Sequence, residues 1–253
     1  MSQKNLNRSN FRNKKLLSRT FLVILLALIL NVNFISSCKI VDGAGLTSDV
    51  PKNEINYLKG EEIMLPEPFT ESNYSLEQAL AKRRSVRTFS GKEIEIEKIS
   101  QLLWAAQGIT KKDTGFRTAP SAGALYPLDV FIIKKDGIFH YIPQGHKLLK
   151  IESKDLRKEL YTACLFQGSV SEAVINIIIT AVYERTTVKY GERGIRYVDM
   201  EAGHACQNIL LQAVALDLGA VPIGAFNDSQ IQKILNLSKE YIPLYVIPVG
   251  YSD

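Results

Sequence analysis

Hydrophobic and polar positions repeat with a helical period in three segments of the chain. Ser75-Leu-Glu-Gln78 matches a capping box, so a helix is predicted over Leu76–Arg84. Apolar residues three and four apart form a stripe over Glu97–Gln107, and Gly108 is a suitable end for that helix. The longest helical pattern covers Asp199–Leu218 and is followed by a glycine.

Other segments carry strand signals. Asp129–Lys134 and Ile138–Ile142 flank an Asp-Gly pair, which predicts a β-hairpin. Val174–Val182 is almost wholly apolar and rich in β-branched residues, which is typical of a central strand. Two further strands are predicted, over Ala220–Phe226 and Leu244–Gly250. Because helices and strands do not alternate strictly, the pattern favours an α+β domain with a mixed or antiparallel sheet flanked by helices.

Charge separates the beginning of the chain from the remainder. The formal net charge is +5, but the first 38 residues hold six of the 31 basic residues and no acidic one. The other 25 basic residues face 26 acidic ones, so the domain itself is close to neutral. No stretch of Lys and Arg with interleaved aromatic residues is present, which argues against nucleic acid as a partner.

The basic start is followed by an apolar run over Phe21–Leu30, an order that predicts an export signal. The tetrad Ile35-Ser-Ser-Cys38 resembles a bacterial lipobox, in which Cys38 would be acylated and would hold the protein on a membrane. An uncleaved signal anchor is the alternative. Both interpretations place the domain outside the cytoplasm, on the periplasmic or cell-surface side.

These patterns divide the chain into three parts. Residues 1–38 are predicted to be a lipoprotein-type signal peptide, residues 39–62 a tether, and residues 63–253 one catalytic-sized domain. Beyond Cys38 only Cys164 and Cys206 remain, so a disulfide between them is open but not implied. Neither lies at metal-ligand spacing from another Cys or a His, so no metal site is predicted.

Arg83-Arg84-Ser85-Val86-Arg87 lies where the first predicted helix gives way to a loop. Guanidinium groups match phosphate oxygens, and a serine hydroxyl adds one more donor, so a dianionic phosphate is a natural ligand. A solvated basic helix end, favoured by the helix dipole, remains the alternative.

The segment Arg117–Pro127 is a loop of small residues that would let a flat ligand approach the backbone, with Ser121 and backbone N–H groups as donors. It lacks the glycine spacing of a dinucleotide fingerprint and the Lys-Ser/Thr of a P-loop. An ordinary tight connection is the alternative.

Three further features invite a functional interpretation. Val221–Phe226 implies a fixed turn with an amide donor for a ligand edge, or simply the start of a strand. Lys189–Tyr197 combines proton-active groups with glycines, which suits an active-site loop or a surface loop. His204 and Glu201 could pair with each other or support a site, although a structural histidine is favoured. His140 and His146 receive no role.

Four segments, in this order and spacing, resemble the nitroreductase superfamily and specifically its SagB/thiazole-oxidase branch. They are Ser75–Arg87, Arg117–Pro127, Lys189–Tyr197 and Glu201–Asn208. The likeness extends over about Ile63 to Gly250, so it excludes the leader and the tether.

The resemblance implies an α+β homodimer that binds FMN at the subunit interface. The residues implied to hold the phosphate, ribityl chain and pyrimidine edge are Arg83, Arg84, Ser85 and Arg87. Those implied to pack on FMN from the partner chain are Pro120, Ser121, Ala122 and Gly123, and those near flavin N5 are Ile223, Gly224 and Ala225. Lys189 and Tyr190 occupy the position of a proton-transferring pair.

The activity implied is that of an FMN-dependent oxidoreductase, which moves hydride or electrons through flavin N5 to or from a small or peptide-like substrate. The alternatives are an NAD(P)H-dependent nitro- or quinone-reductase and a non-catalytic, flavin-carrying surface lipoprotein. Two departures stand out. The chain ends at Gly250-Tyr-Ser-Asp253 without the basic residue that many superfamily members place on the phosphate, and an export signal is unusual for an enzyme that acts in a cytoplasmic biosynthetic complex.

Overall fold

A computed structural model describes residues 60–252 of the protein. The predicted signal peptide, the lipidation site Cys38 and residues 39–59 of the predicted tether lie outside the described residues, so these expectations stay predictions. Within residues 60–252 no helix is long and apolar enough to cross a membrane. The first strand begins at Glu62, one residue before the predicted domain boundary.

The centre of the fold is a seven-stranded sheet with the strand order β1-β6-β5-β4-β7-β9-β8. Every neighbouring pair is antiparallel, so the antiparallel alternative of the predicted sheet is the correct one. A separate two-stranded sheet pairs β2 with β3. The strands are β1 (Glu62–Met64), β2 (Ile109–Lys111), β3 (Phe116–Arg117), β4 (Leu128–Lys134), β5 (Gly137–Ile142), β6 (Lys147–Glu152), β7 (Ile175–Val182), β8 (Gly219–Ala220) and β9 (Tyr241–Gly250).

Helices lie on both faces of the sheet. They are α1 (Leu76–Lys82), α2 (Ile96–Gln107), α3 (Arg157–Ala163), α4 (Gly168–Glu172), α5 (Glu184–Tyr190), α6 (Arg193–Ala215) and α7 (Asp228–Ile234), with one 3-10 turn at Ala122–Ala124. The capping box predicted at Ser75 is present: its side chain accepts from Gln78 N–H while Gln78 reaches back to the Ser75 N–H. Gly108 caps α2 as expected.

Two hydrophobic cores follow from the alternation of side chains along the strands. On β7, Ile177 and Ile179 point to one face, where α2 and α6 pack, and Ile178 points to the other, where α3, α4 and α7 pack. All residues of β7 except Val182 are buried, and the strand lies between β4 and β9, which confirms its predicted central position.

Two predicted elements have different bounds. The long helix starts at Arg193 and ends at Ala215, so the predicted active-site loop over Lys189–Tyr197 is wrong as a loop. Lys189 and Tyr190 form the last turn of α5, and Gly191, with a φ of +58°, turns the chain between the two helices. The predicted strand over 220–226 is reduced to β8 and an isolated bridge at Ile223, because Pro222 has no N–H to continue the ladder.

The predicted β-hairpin is present, with Lys134 paired to Gly137 across a two-residue turn. Gly137 has a φ of +134°, and a Cβ there would strike the carbonyl group of Glu152. We expect Gly137→Ala to lower the free energy of unfolding by roughly 2–5 kcal/mol, measured by urea denaturation. Gly91→Ala is the matched control, because Gly91 has a φ of +71° but open space around it, and should cost about 1–2 kcal/mol. Equal losses in the two variants would contradict this account of the turn.

Candidate active site

The arginine segment, Arg83–Arg87, leaves α1 as an extended chain at the edge of the sheet. Ser85 forms a parallel bridge with Ala220, and Val86 N–H donates to the Ala220 carbonyl at 3.1 Å. Val86 packs over Gly219, where a Cβ would come within 2.6 Å of it. Since side chains alternate along an extended chain, Arg83, Ser85 and Arg87 share the side opposite Val86.

The guanidinium groups of this segment form no ion pair with an acidic residue within residues 60–252. Arg87 donates only to the Ser85 carbonyl, at 3.4 Å. Arg84 donates to the carbonyl groups of Ala81 and Arg83 at the end of α1, which matches the alternative of a basic helix end for this one residue. Arg83 and Arg87 are therefore the available donors for an anion.

The segment Ile223–Ala225 lies next to the arginine segment, since it begins three residues after Ala220. Ile223 is buried and bridges Val246, whereas Gly224 and Ala225 are exposed. Within the described part of the chain, the N–H groups of Gly224 and Ala225 have no hydrogen-bond acceptor. Both N–H groups are therefore available, while their predicted donation to a ligand edge stays a prediction.

A turn that the sequence analysis missed lies against this segment. Gln167 donates through Nε2 to the Ala225 carbonyl at 2.9 Å and to the Cys164 carbonyl at 2.9 Å. The two residues before it, Leu165 and Phe166, have positive φ values of 57° and 61° and are 60% and 65% exposed. Two large apolar residues in consecutive left-handed conformations are costly, and such strain is concentrated at functional sites.

The serine loop, Pro120–Gly123, forms the other half of the site. Gly123, Ala124 and Tyr126 all have positive φ values, and the 3-10 turn leaves the N–H groups of Ala122 and Gly123 without an acceptor among residues 60–252. The Ser121 hydroxyl accepts the Tyr126 N–H at 2.9 Å, so it is partly used within the loop. Backbone N–H groups are the main donors that the loop presents to a ligand.

The predicted proton-transferring pair lies directly beside this loop. A Cβ on Gly123 would come within 2.8 Å of the Tyr190 hydroxyl and 3.0 Å of Lys189 Nζ. Tyr190 stacks edge-on against Tyr197, with ring centroids 5.2 Å apart. The structure therefore brings Lys189 and Tyr190 together with the serine loop, although 66 residues separate Gly123 from Lys189 in the sequence.

Polar side chains lie buried beneath the serine loop. Arg117 donates to Gln107 Oε1 at 2.8 Å and stacks on Tyr126, with its guanidinium carbon 4.4 Å from the ring centre. Glu201, on α6, is only 2% exposed. Burial raises the pKa of Glu201 to about 7, although the side chains of Ser121, Arg117 and Gln107 favour its charged form.

His140 and His146, which received no functional role, both have hydrogen-bonding partners in the structure. His140 contacts Asp129 at 3.1 Å, and Asp129 also pairs with Arg185 at 2.8 Å. Burial alone would raise the pKa of Asp129, but the hydrogen bond from His140 and the charge of Arg185 hold it below its ordinary value. His146, for which the sequence indicated no partner, contacts Ser100 Oγ at 2.6 Å and the Tyr141 hydroxyl at 2.9 Å.

Glu201 is buried whereas His204 is exposed on α6, so the alternative in which the two pair is not observed. The exposed position of His204 also differs from the buried, hydrogen-bonded surroundings expected of the favoured structural histidine. Cys164 and Cys206 are both buried and free. No cluster of three or more metal-ligating side chains occurs within residues 60–252.

The two halves of the site are distinct within one chain. One half consists of the arginine segment, Ile223–Ala225 and the turn at Leu165–Gln167; the other consists of the serine loop with Lys189 and Tyr190. No hydrogen bond, ion pair or bridge joins the two halves within residues 60–252.

Comparison with known proteins gives a consistent result. The sequence profile of the Nitroreductase family matches residues 80–251. The protein MJ1384 of Methanocaldococcus jannaschii, named as a nitroreductase, is 44% identical over 195 residues, which cover 75% of this chain and 96% of that protein. The microcin B17-processing protein McbC of Escherichia coli is 25% identical over 218 residues, covering 79% of each chain.

Among solved structures, a nitroreductase-type protein from Ralstonia eutropha superposes with a TM-score of 0.71 and 28% sequence identity, covering 78% of this chain and 91% of that one. The predicted α+β fold is thereby confirmed.

Proposed function

The chain belongs to the nitroreductase family, and from this premise we propose that it is an FMN-dependent oxidoreductase acting on a small or peptide-like substrate. The likeness to McbC supports the SagB/thiazole-oxidase branch within the family. The observation that carries the proposal is the pair of guanidinium groups of Arg83, which is half-buried, and Arg87, which is exposed. Neither has an acidic partner in the described part of the chain.

The donors present fit FMN. Arg83, Ser85 and Arg87 share one side of an extended segment and suit a phosphate, while the free N–H groups of Gly224 and Ala225 suit the polar edge of a flat ring. The free N–H groups of Ala122 and Gly123 suit a second ring edge. When bound, FMN supplies the hydride and electron chemistry of the reaction.

Lys189 and Tyr190 are the residues proposed to handle protons. Both reach the space that a Cβ on Gly123 would fill, so they stand at the surface of the serine loop where a ligand would lie. The ammonium group and the phenol hydroxyl can each give a proton to the substrate, and the amine or phenolate that remains can take a proton back. The pair therefore serves to protonate or deprotonate the substrate next to the flavin.

A homodimer would complete the site. No hydrogen bond, ion pair or bridge joins the two halves within residues 60–252. We expect a partner chain to bring its serine loop, Lys189 and Tyr190 to the arginine segment of the first. Large apolar side chains are exposed on three helices, which is typical of an interface: Leu76 and Leu80 on α1, Val188 on α5, and Ile195 and Met200 on α6.

Leu165 and Phe166 are proposed to contact the substrate. The turn that holds them is bonded through Gln167 to Ala225, so this turn lies beside the half-site that includes Ile223–Ala225. Their exposure and strain suit an apolar substrate surface, such as an aromatic ring or the apolar side chains of a peptide.

Phe166→Ala should raise KM for the substrate about tenfold and leave FMN affinity unchanged, because the ring contacts the substrate and Tyr161 but none of the groups proposed to hold FMN. Steady-state kinetics with a donor or acceptor that wild type turns over, together with an FMN titration, would measure both quantities. Phe69→Ala is the matched control, since Phe69 is also exposed but lies in the cleft between α1 and α2. Equal KM changes in both variants would remove Phe166 from the substrate site.

The similarity to MJ1384, which bears a nitroreductase name, favours one alternative activity, reduction of nitro compounds or quinones with NAD(P)H. The predicted export of the protein argues against this donor, which is scarce outside the cytoplasm. A flavin carrier without catalysis is the other alternative.

An anaerobic test separates these functions. The FMN-loaded protein is mixed with NADH, with NADPH or with a model peptide that contains an azoline ring, which would be oxidised to the azole as the flavin is reduced. The absorbance of bound flavin is followed. An oxidoreductase shows bleaching of the flavin by at least one donor and recovery of the absorbance with an acceptor. Bleaching by NADH or NADPH identifies the alternative nitro- or quinone-reductase. A carrier shows no bleaching with any of them.

A further inference from the structure

The backbone of the arginine segment is held on both sides of Arg87. On one side, Val86 N–H donates to the Ala220 carbonyl at 3.1 Å, and β8, which contains Ala220, pairs with the end of β9. On the other side, Ser90 N–H donates to the Tyr251 carbonyl at 3.0 Å, directly after β9. Arg87 itself makes no backbone-to-backbone hydrogen bond within residues 60–252, so its position depends on these two attachments.

The side chain of Tyr251 fixes the second attachment to two helices. Its hydroxyl donates to Glu95 Oε2 at 2.5 Å and accepts from Lys98 Nζ at 2.8 Å, both at the start of α2. The same ammonium group donates to the Leu216 carbonyl at 2.8 Å, at the end of α6. The ring lies under Lys92, whose Nζ is 4.2 Å from the ring centre. Tyr251 is therefore bonded to α2 directly and to α6 through Lys98.

Apolar packing adds to the same attachment. Phe89, the neighbour of Ser90, is 7% exposed and packs on Gly250, where a Cβ would come within 2.9 Å of its ring. A contact this close depends on the path of the backbone after β9. A Tyr251 released from α2 would therefore loosen Phe89 and Ser90, and with them the chain that follows Arg87.

We propose that Tyr251 is a positioning residue that acts through Arg87, and that its bonds to α2 hold the arginine segment in the extended form that binds the FMN phosphate. The inference rests on the proposed function. A guanidinium group matches phosphate oxygens only in a defined geometry, so a backbone fixed on both sides of Arg87 lowers the entropy lost on binding. Tyr251 acts in this way without touching the cofactor.

The test is a double-mutant cycle between Tyr251→Phe and Arg87→Ala in the full chain, with Kd for FMN measured by fluorescence titration. Tyr251→Phe keeps the ring and removes the hydroxyl, so Kd should rise about three- to tenfold. In the Arg87→Ala background the same substitution should leave Kd unchanged, because the group through which Tyr251 acts is missing. A general loss of stability would instead change Kd by the same factor in both backgrounds.

Two further variants complete the test. Tyr183→Phe is the matched control, because the Tyr183 hydroxyl also donates to a carboxylate, that of Asp199, outside the arginine half of the site. It should keep the wild-type Kd. Lys98→Met removes the ammonium group that links Tyr251 to α6 and should also raise Kd. This variant keeps the test valid if Tyr251→Phe fails to fold.

The outcomes are separable. An unchanged Kd in both Tyr251→Phe and Lys98→Met, or an equal rise with and without Arg87, would overturn the role of Tyr251 and leave FMN binding intact. Wild type that binds no FMN would overturn the proposed function, and the role of Tyr251 with it.

Discussion

Replacing Arg83 and Arg87 together by alanine should weaken FMN binding by roughly a hundredfold or more. Each charge-assisted hydrogen bond is worth about 1.5–3 kcal/mol, and 1.4 kcal/mol corresponds to a tenfold change in Kd. The two guanidinium groups are free of acidic partners in the described part of the chain, so their loss takes no structural ion pair away. The variant should therefore keep its fold while it loses the cofactor.

Fluorescence titration with FMN measures this loss, and circular dichroism checks the fold. Arg157→Ala is the matched control, because Arg157 lies on α3 and pairs with Asp155 at 2.7 Å, outside the proposed site. Riboflavin gives a second check. Its binding should change little in the double variant if the two arginines hold the phosphate. A double variant that binds FMN as wild type does would disprove this phosphate site.

Changing Lys189 and Tyr190 together to alanine should lower the rate of flavin reduction or reoxidation by a factor of about 100 to 10,000, the usual worth of a positioned acid or base. Both side chains reach the Gly123 surface of the serine loop but neither belongs to the arginine half of the site. FMN should thus remain bound while proton transfer to or from the substrate becomes slow.

Stopped-flow absorbance with a donor that reduces wild type would follow each half-reaction separately. Thr187→Ala is a suitable control, because Thr187 lies on the same helix two residues before Lys189 and its substitution keeps the amine and the phenol. Unchanged rates in the double variant, at full FMN occupancy, would exclude these residues from the chemistry.

Local sequence signals predicted much of the fold. The capping box at Ser75, the Asp-Gly hairpin and the apolar strand β7 each depend on neighbouring residues, and each is present as predicted. The start of the long helix was missed because Gly191 and Gly194 suggested a loop. Gly194 instead allows close packing, since a Cβ there would lie 2.9 Å from Thr187 Cα.

The site was only partly predictable, because local sequence signals do not show which distant segments come into contact. The resemblance identified the arginine segment, the serine loop and the Lys-Tyr pair. Their grouping into two halves depends on two long-range contacts, of Ser85 with Ala220 on β8 and of Gly123 with the end of α5. Leu165 and Phe166 carried no signal, because their importance lies in their left-handed backbone and in the bond from Gln167 to Ala225. The environment of Glu201 likewise forms only when α2, β3 and α6 come together.

A dimeric FMN protein can be recognised in a single preparation. The protein is purified after FMN supplementation, its absorbance spectrum and released cofactor are determined, and its mass is measured in solution. We expect a yellow dimer that releases about one FMN per chain. A colourless monomer that takes up no FMN would contradict it.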